Sequence, residues 1–203
     1  MSLLSQAKLL TLITVMFITG VGYFALNYGF KHEFLTLFGF GLESVVILSL
    51  SLLALIKLFR QDPDKHLKFE KWIMMSLGTL SLQLALVMLF MCLFKLSKNE
   101  GPDTSFPGVV IGGLTLVLLS FVTKLKFMIA SEYQSQTMEL EASNSFNAIK
   151  FALTLLTVSV VKHLWPELWW VDNFAGLFLA FQVGKEGLTH VRASRRGDYQ
   201  AQV

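Results

Sequence analysis

Six long runs of apolar residues, separated by short charged segments, make up nearly all of the chain. They predict six transmembrane helices, at positions 9–30, 34–56, 72–94, 107–127, 142–162 and 170–188. A bilayer core about 30 Å thick needs about 20 helical residues to cross it. The fourth run reaches that length only if Lys124 and Lys126 extend to the membrane surface, and the sixth only if its ends include Asp172 and Lys185.

The apolarity of these runs is continuous rather than alternating, which favours helices over the strands of a membrane barrel. Hydrophobic residues are 54% of the chain and charged residues 15%, and the polar stretches are too short to form a soluble domain. The predicted fold is therefore an all-α membrane protein, with a six-helix transmembrane domain over 1–190 and a short basic tail over 191–203. The first run lacks a small-residue cleavage site, so it is predicted to be a retained span rather than a signal peptide.

The distribution of lysine and arginine predicts the orientation. Those on one side of the predicted bundle are Lys8, Lys57, Arg60, Lys65, Lys68, Lys71, Lys124, Lys126, Lys185, Arg192, Arg195 and Arg196, and those on the other are Lys31, Lys95, Lys98 and Lys162. Because cytoplasmic segments carry the excess of positive charge, both termini are predicted to be cytoplasmic, in an inner or plasma membrane. The net charge of +3 then reflects topology and needs no nucleic-acid partner.

Other features of the pattern predict packing and anchoring rather than chemistry. Trp165, Trp169 and Trp170 lie together near the start of the sixth run, as in an aromatic belt at the membrane surface. Glycines within the runs predict close helix crossings, because small residues let backbones approach. They are Gly39, Gly41, Gly112, Gly113 and Gly176.

Two ionisable residues lie inside the predicted spans, Glu43 in the second and Lys150 in the fifth. A charge at the centre of a bilayer costs about 2.5–3.5 kcal/mol on insertion scales, so each side chain needs a partner or a function. Their depths in antiparallel helices differ by about one turn. One interpretation is a buried Glu43–Lys150 ion pair that fixes helix register. The other is a transport function for Glu43.

Further oxygen donors lie near the start of the fifth span. Glu141, Asn144 and Asn147 are spaced by three residues, so they share one broad helix face. Carboxylate and amide oxygens suit Mg²⁺, Mn²⁺ or Ca²⁺, although amides in membrane helices also serve as ordinary interhelical hydrogen-bond formers.

The remaining polar groups predict no enzyme chemistry and no resident cofactor. Asp62, Asp64 and His66 lie in a charged segment that is most simply a solvated turn. Cys92 is the single cysteine, so neither an internal disulfide nor a thiolate metal cluster can form. Within the spans, no His or Cys accompanies a Ser or Asp in a catalytic arrangement.

The second half of the chain resembles the cation diffusion facilitator family. The segments Lys124–Val158 and Trp165–Ser194 are similar to the end of helix four through helix six of those transporters, with "LEAS" (140–143) and "DNFAGL" (172–177) at two characteristic places. The segment "GFGLESVVILSLSLLALI" (39–56) resembles family helix two. The resemblance implies six helices with both ends inside and a metal site formed by residue pairs four apart on helices two and five.

At those pair positions this chain has Glu43 and Ile47, and Asn144 and Ala148. Glu43 and Asn144 are thus the surviving candidate metal ligands, with Glu141 as a neighbour, and they do not form a tetrahedral zinc site. The family's cytoplasmic carboxyl-terminal domain is also expected to be missing.

Two functional interpretations follow. The first is a reduced transporter that exports a divalent cation in exchange for protons, with Glu43 as the coupling carboxylate. The second is a site-degenerate relative that does not transport and acts as a partner or regulatory subunit of another membrane protein. Either is compatible with a homodimer.

Overall fold

The computed structural model describes residues 3–59, 66–102, 105–133 and 136–196, and within these ranges it contains helices and connecting loops but no β-strand. The helices are α1 (Leu3–Lys31), α2 (Leu35–Phe59), α3 (His66–Lys98), α4 (Phe106–Tyr133), α5 (Gln136–Leu164) and α6 (Trp170–Arg196). The prediction of six helices in an all-α fold is therefore confirmed. Asp62 and Asp64 lie outside the described residues, as do the last seven residues of the predicted tail and the side chains of His66 and Glu141.

Five of the six helices are long and apolar enough to cross a membrane. These segments are Ser5–Lys31, Leu35–Ile56, Met75–Lys98, Phe106–Glu132 and Ala142–Leu164. At 27 residues α6 has sufficient length, but Asp172, Lys185 and Glu186 lower its apolar character, so its crossing stays a prediction. The exterior of the bundle is also apolar, with large exposed side chains such as Met16, Phe90 and Phe121. Both features are compatible with an integral membrane protein.

The helices alternate in direction. At one end of the bundle, the lower end, the Lys8 ammonium lies 4.3 Å from the centre of the Phe59 ring, which places the start of α1 beside the end of α2. At the opposite, upper end, Asp172 at the start of α6 contacts the start of α2. Three antiparallel pairs, α1–α2, α3–α6 and α4–α5, pack most extensively. The α2 helix also contacts α3, α5 and α6, and so lies at the centre.

The main core forms around α2, where side chains from several helices interlock. Its fully or nearly fully buried members include Phe34, Phe40, Met88, Leu155 and Leu179. Burying side chains of this size stabilises a protein by about 1.5–3 kcal/mol each in water. In a membrane, lipid is as apolar as the protein core, so close packing of the side chains supplies much of the stabilisation instead.

Glycines allow the closest helix approaches, as the sequence predicts for some of them. In the α3–α6 pair, a Cβ atom built on Gly78 would lie 2.8 Å from the carbonyl oxygen of Gly187. A Cβ atom on Gly187 would lie 2.9 Å from the carbonyl oxygen of Gly78. Gly112 is similarly close to the α5 backbone, whereas Gly113 has open space around it and its predicted role in a crossing is wrong.

The upper end is stabilised by polar contacts between helices. The Asp172 carboxylate accepts hydrogen bonds from the backbone N–H groups of Leu35 (2.8 Å) and Thr36 (2.9 Å) and from the Thr36 hydroxyl (2.5 Å). The first residue pair of α2 is thus capped by a side chain from α6 rather than by a neighbour in sequence. Such a cap is needed because Asp172 and Thr36 are almost completely buried.

A second upper-end contact joins α3 to the loop between α1 and α2. The Lys95 ammonium lies 2.9 Å from the Glu33 carboxylate and donates a hydrogen bond of 2.5 Å to the Glu33 carbonyl oxygen. The hydrogen bond and charge of Lys95 lower the pKa of the Glu33 carboxyl group below its ordinary value. Lys95 therefore holds a loop residue whose backbone adopts a positive φ of 54°.

The two lysines of the fourth predicted span behave differently from each other. Lys124 is exposed, as expected, but Lys126 is completely buried and its ammonium donates a hydrogen bond to the Ser145 hydroxyl (3.1 Å). The prediction that Lys126 extends to the surface is therefore wrong, because α5 packs directly against this side of α4.

Gly78→Ala is expected to lower the free energy of unfolding by about 1–3 kcal/mol, because the added methyl group would meet backbone atoms that cannot move independently. Gly113→Ala is the matched control, and it should be neutral or slightly stabilising since nothing lies within 4 Å. Denaturant titration of the purified protein in mixed micelles measures both. Equal effects of the two substitutions would contradict the close crossing.

Asp172→Ala is expected to lower the free energy of unfolding by about 1–3 kcal/mol, because buried donors of α2 lose their acceptor. Glu167→Ala, in the exposed loop before α6, is the control and should change little. The same titration tests the pair, and an unchanged Asp172→Ala protein would argue against the interhelical cap.

Candidate functional site

The candidate site begins at Glu43, in the first half of α2. Its side chain is only 3% exposed, so this predicted site residue lies in the interior rather than on the lipid-facing exterior. The next residue, Ser44, donates its hydroxyl to the carbonyl oxygen of Phe40 within the same helix (2.8 Å) and supplies no bond to Glu43. Glu43 therefore needs a partner from another helix.

That partner is Glu186 of α6, whose carboxyl group is within hydrogen-bonding reach of the Glu43 carboxyl group. A hydrogen bond between two carboxyl groups requires a proton on one of them, since two carboxylates are both acceptors. No N–H or O–H group of the other described residues donates to Glu43 Oε2. The two carboxyl groups therefore form an acidic pair between α2 and α6, an arrangement that favours one shared proton over two negative charges.

The predicted ion pair between Glu43 and Lys150 is not formed. Lys150 lies on the exposed side of α5, where its ammonium donates to the Asn147 side-chain oxygen (3.1 Å) and lies 4.9 Å from the centre of the Phe146 ring. Its neighbours Ala148 and Phe151 face the interior instead. Lys150 is nevertheless close enough to Glu186 to interact with its charge.

The other predicted oxygen donors are partly assembled near the acidic pair. Asn144 and Asn147 are half-buried and line the same cavity as Glu186. No hydrogen bond joins either amide to Glu43, and the predicted pairing of Glu43 with Asn144 as metal ligands stays a prediction. Glu141 precedes them on α5, but its side chain lies outside the described part of the chain.

A polar cavity of about 370 Å³ connects these groups to the exterior. It lies between α5 and α6 in the lower half of the bundle, where the two helices pack less extensively than the three main pairs. Its lining residues are Ser143, Asn144, Asn147, Lys150, Gln182, Lys185, Glu186, Thr189 and His190. A smaller cavity continues from it toward Thr154 and Phe178. Glu186 thus lies in the cavity wall with Glu43 behind it.

The donors near the acidic pair are oxygen atoms of carboxyl and amide groups. Within the described residues, no group of three or more His, Cys, Asp or Glu side chains is placed to hold a metal ion. Two carboxyl groups and nearby amides offer oxygen ligands, which suit hard divalent cations. The ammonium groups of Lys150 and Lys185 in the same wall oppose a bound cation.

Sequence reasoning missed Glu186, although a signal was present. Glu186 lies inside the predicted sixth span at 170–188, and the rule that singles out Glu43 and Lys150 applies equally to it. It adjoins Gly187, which packs against α3, and since consecutive helix residues lie about 100° apart around the axis, Glu186 faces away from that crossing.

No family model matches the chain, and neither does any curated protein at a meaningful level of similarity. The resemblance to the cation diffusion facilitator family therefore remains an interpretation of the segments quoted above.

The contact between the two carboxyl groups predicts energetic coupling between Glu43 and Glu186. In a double-mutant cycle with Glu43→Gln and Glu186→Gln, we expect a coupling free energy of about 0.5–3 kcal/mol, because each substitution changes the charge that the other residue faces. Unfolding titrations of the four proteins measure it.

The matched control cycle pairs Glu43→Gln with Glu167→Gln, an exposed glutamate in the loop before α6. These two residues are expected to be additive. Coupling of similar size in both cycles, or additivity in both, would count against a shared proton.

Proposed function

We propose that the protein is a membrane transporter that moves a divalent cation in exchange for protons, with Glu43 and Glu186 as the coupling site. The observation that carries this proposal is a pair of neighbouring carboxyl groups, the buried Glu43 on α2 and the half-buried Glu186 on α6. Two such groups in a region of low polarity hold a proton in preference to two negative charges. A divalent cation would neutralise the charge of both carboxylates, whereas a single proton leaves one negative charge.

The exchange is balanced at the site itself. With one shared proton, the pair carries a single negative charge. When a divalent cation binds both carboxylates, the shared proton leaves. When a proton returns to one carboxylate, the binding of the cation weakens and the cation is released. Ions and protons therefore compete for the same oxygens, which is the requirement for coupled movement in opposite directions.

The polar cavity supports a path to this site from one side of the bundle. Asn144, Asn147 and Gln182 offer side-chain oxygens along the wall between the exterior and Glu186. The less extensive packing between α5 and α6 favours rearrangement there over rearrangement within the three main pairs. Rocking of helices around a central site is the usual basis of alternating access.

The second candidate function is that of a partner or regulatory subunit without transport. It is favoured by the positive charges of Lys150 and Lys185 beside the acidic pair, because these repel the proposed cargo. In that case the shared proton replaces a bound ion and serves only to join α2 to α6.

Flux measurements in proteoliposomes test the proposal. The purified chain is reconstituted with a pH-sensitive dye and a divalent-cation indicator inside the vesicles, and Mn²⁺, Zn²⁺ or Ca²⁺ is added outside. We expect cation entry with proton exit, and a loss of at least about tenfold in Glu43→Gln and in Glu186→Gln, since each removes one of two charged ligands.

Glu167→Gln is the control and should retain full flux. Unchanged flux in both site variants would exclude the acidic pair as the coupling site. If the wild-type protein moved none of these ions, the partner function would be favoured.

A further inference from the structure

The cavity between α5 and α6 carries a second, basic feature that the acidic pair does not use. Lys150 on α5 and Lys185 on α6 both line it, and both are exposed. Among its described lining residues, Glu186 is the one carboxyl group, and it lies against Glu43. Two lysines therefore stand against one carboxyl group in the cavity wall, so the opening has an excess of positive charge.

His190 adds an unused polar group to the same wall. Its side chain is only 8% exposed, and its Nδ1 atom has no hydrogen-bond partner among the described residues. A buried polar atom without a partner is energetically unfavourable, so its position in a polar cavity points to a ligand that supplies the bond. Asn144 and Asn147 offer amide N–H groups close by.

The surroundings of the opening are strongly apolar. The ring centre of Phe146 lies 4.9 Å from the Lys150 ammonium, Phe178 lines the smaller cavity that continues from this one, and both side chains are about half exposed. A ligand bound here therefore meets ammonium groups at its polar end and hydrocarbon-like side chains beside it. That combination fits the head group of a lipid better than a fully hydrated ion.

We propose that this cavity binds a phosphate group, supplied by the head group of an anionic lipid. Phosphate oxygens accept several hydrogen bonds at once, and lysine is a common point-charge partner for them. Basic pockets between membrane helices recognise anionic head groups in the same way. Lys150, Lys185 and His190 are the residues that hold the phosphate, and the exposed aromatic side chains flank the acyl chains.

This site does not depend on transport. Lys150 and Lys185 interact with the charge of Glu186 in the structure, and a bound phosphate competes for those lysines without needing Glu43. A free phosphate ion offers the same chemistry, so the experiment must separate the two sources.

Native mass spectrometry of the purified full chain in detergent tests the proposal. The protein is titrated with phosphatidylglycerol, with phosphatidylcholine and with inorganic phosphate. We expect a saturable adduct with phosphatidylglycerol, weakened about fivefold by Lys150→Gln and by Lys185→Gln, which corresponds to one lysine contact. Lys185→Arg should retain binding, because it keeps the charge.

Lys124→Gln is the matched control. Lys124 is exposed on α4 near the lower end but lies outside the cavity, so its loss should leave the adduct unchanged. Circular dichroism and gel filtration confirm that each variant is folded before it is compared.

Competition between the two ligands identifies the source of the phosphate group. Binding of phosphatidylglycerol that inorganic phosphate does not displace identifies a lipid as the source, and displacement by inorganic phosphate identifies the free ion at the same phosphate site. The proposal is overturned if neither ligand binds, if phosphatidylcholine binds equally well, or if Lys124→Gln weakens the adduct as much as the cavity variants.

Discussion

The structure depends on matching the buried polar groups of α2 with partners from α6. A polar group inside an apolar bundle must find its partner within the protein, because no water is there to replace it. The α6 helix supplies two such partners at different depths. Asp172 accepts the first N–H groups of α2 at the upper end, and Glu186 meets Glu43 farther down. These contacts account for two of the polar residues in α6.

The arrangement of helix pairs determines where the site can open. Close glycine contacts hold α3 to α6, and short backbone distances hold α4 to α5. The α5 and α6 helices therefore belong to different antiparallel pairs. The polar cavity lies between these two helices. The acidic pair and the cavity are therefore both consequences of how the three antiparallel pairs assemble around α2.

Much of this fold could be predicted from the sequence, because helix number and approximate bounds follow from the length of apolar runs. Which residues meet could not. The expected pairing of Glu43 with Lys150 compared only their depths along two helices, and depth does not fix rotation about the helix axis. Ala148 and Phe151 occupy the interior face of α5, so Lys150 faces outward. Lys126 shows the converse, since a lysine expected at the surface is buried against Ser145.

The close approach of two acids and two lysines limits how a cation site could operate here. A shared proton would let Glu43 and Glu186 lie together at little electrostatic cost, whereas a cation in the same place would meet repulsion from Lys150 and Lys185. Lysine side chains are long and flexible, and in this structure both are exposed at the cavity wall. An anion bound at the opening would neutralise the lysines and thereby reduce the repulsion on a cation farther in. The acidic pair and the basic opening would then be coupled through charge alone, without any direct contact between their ligands.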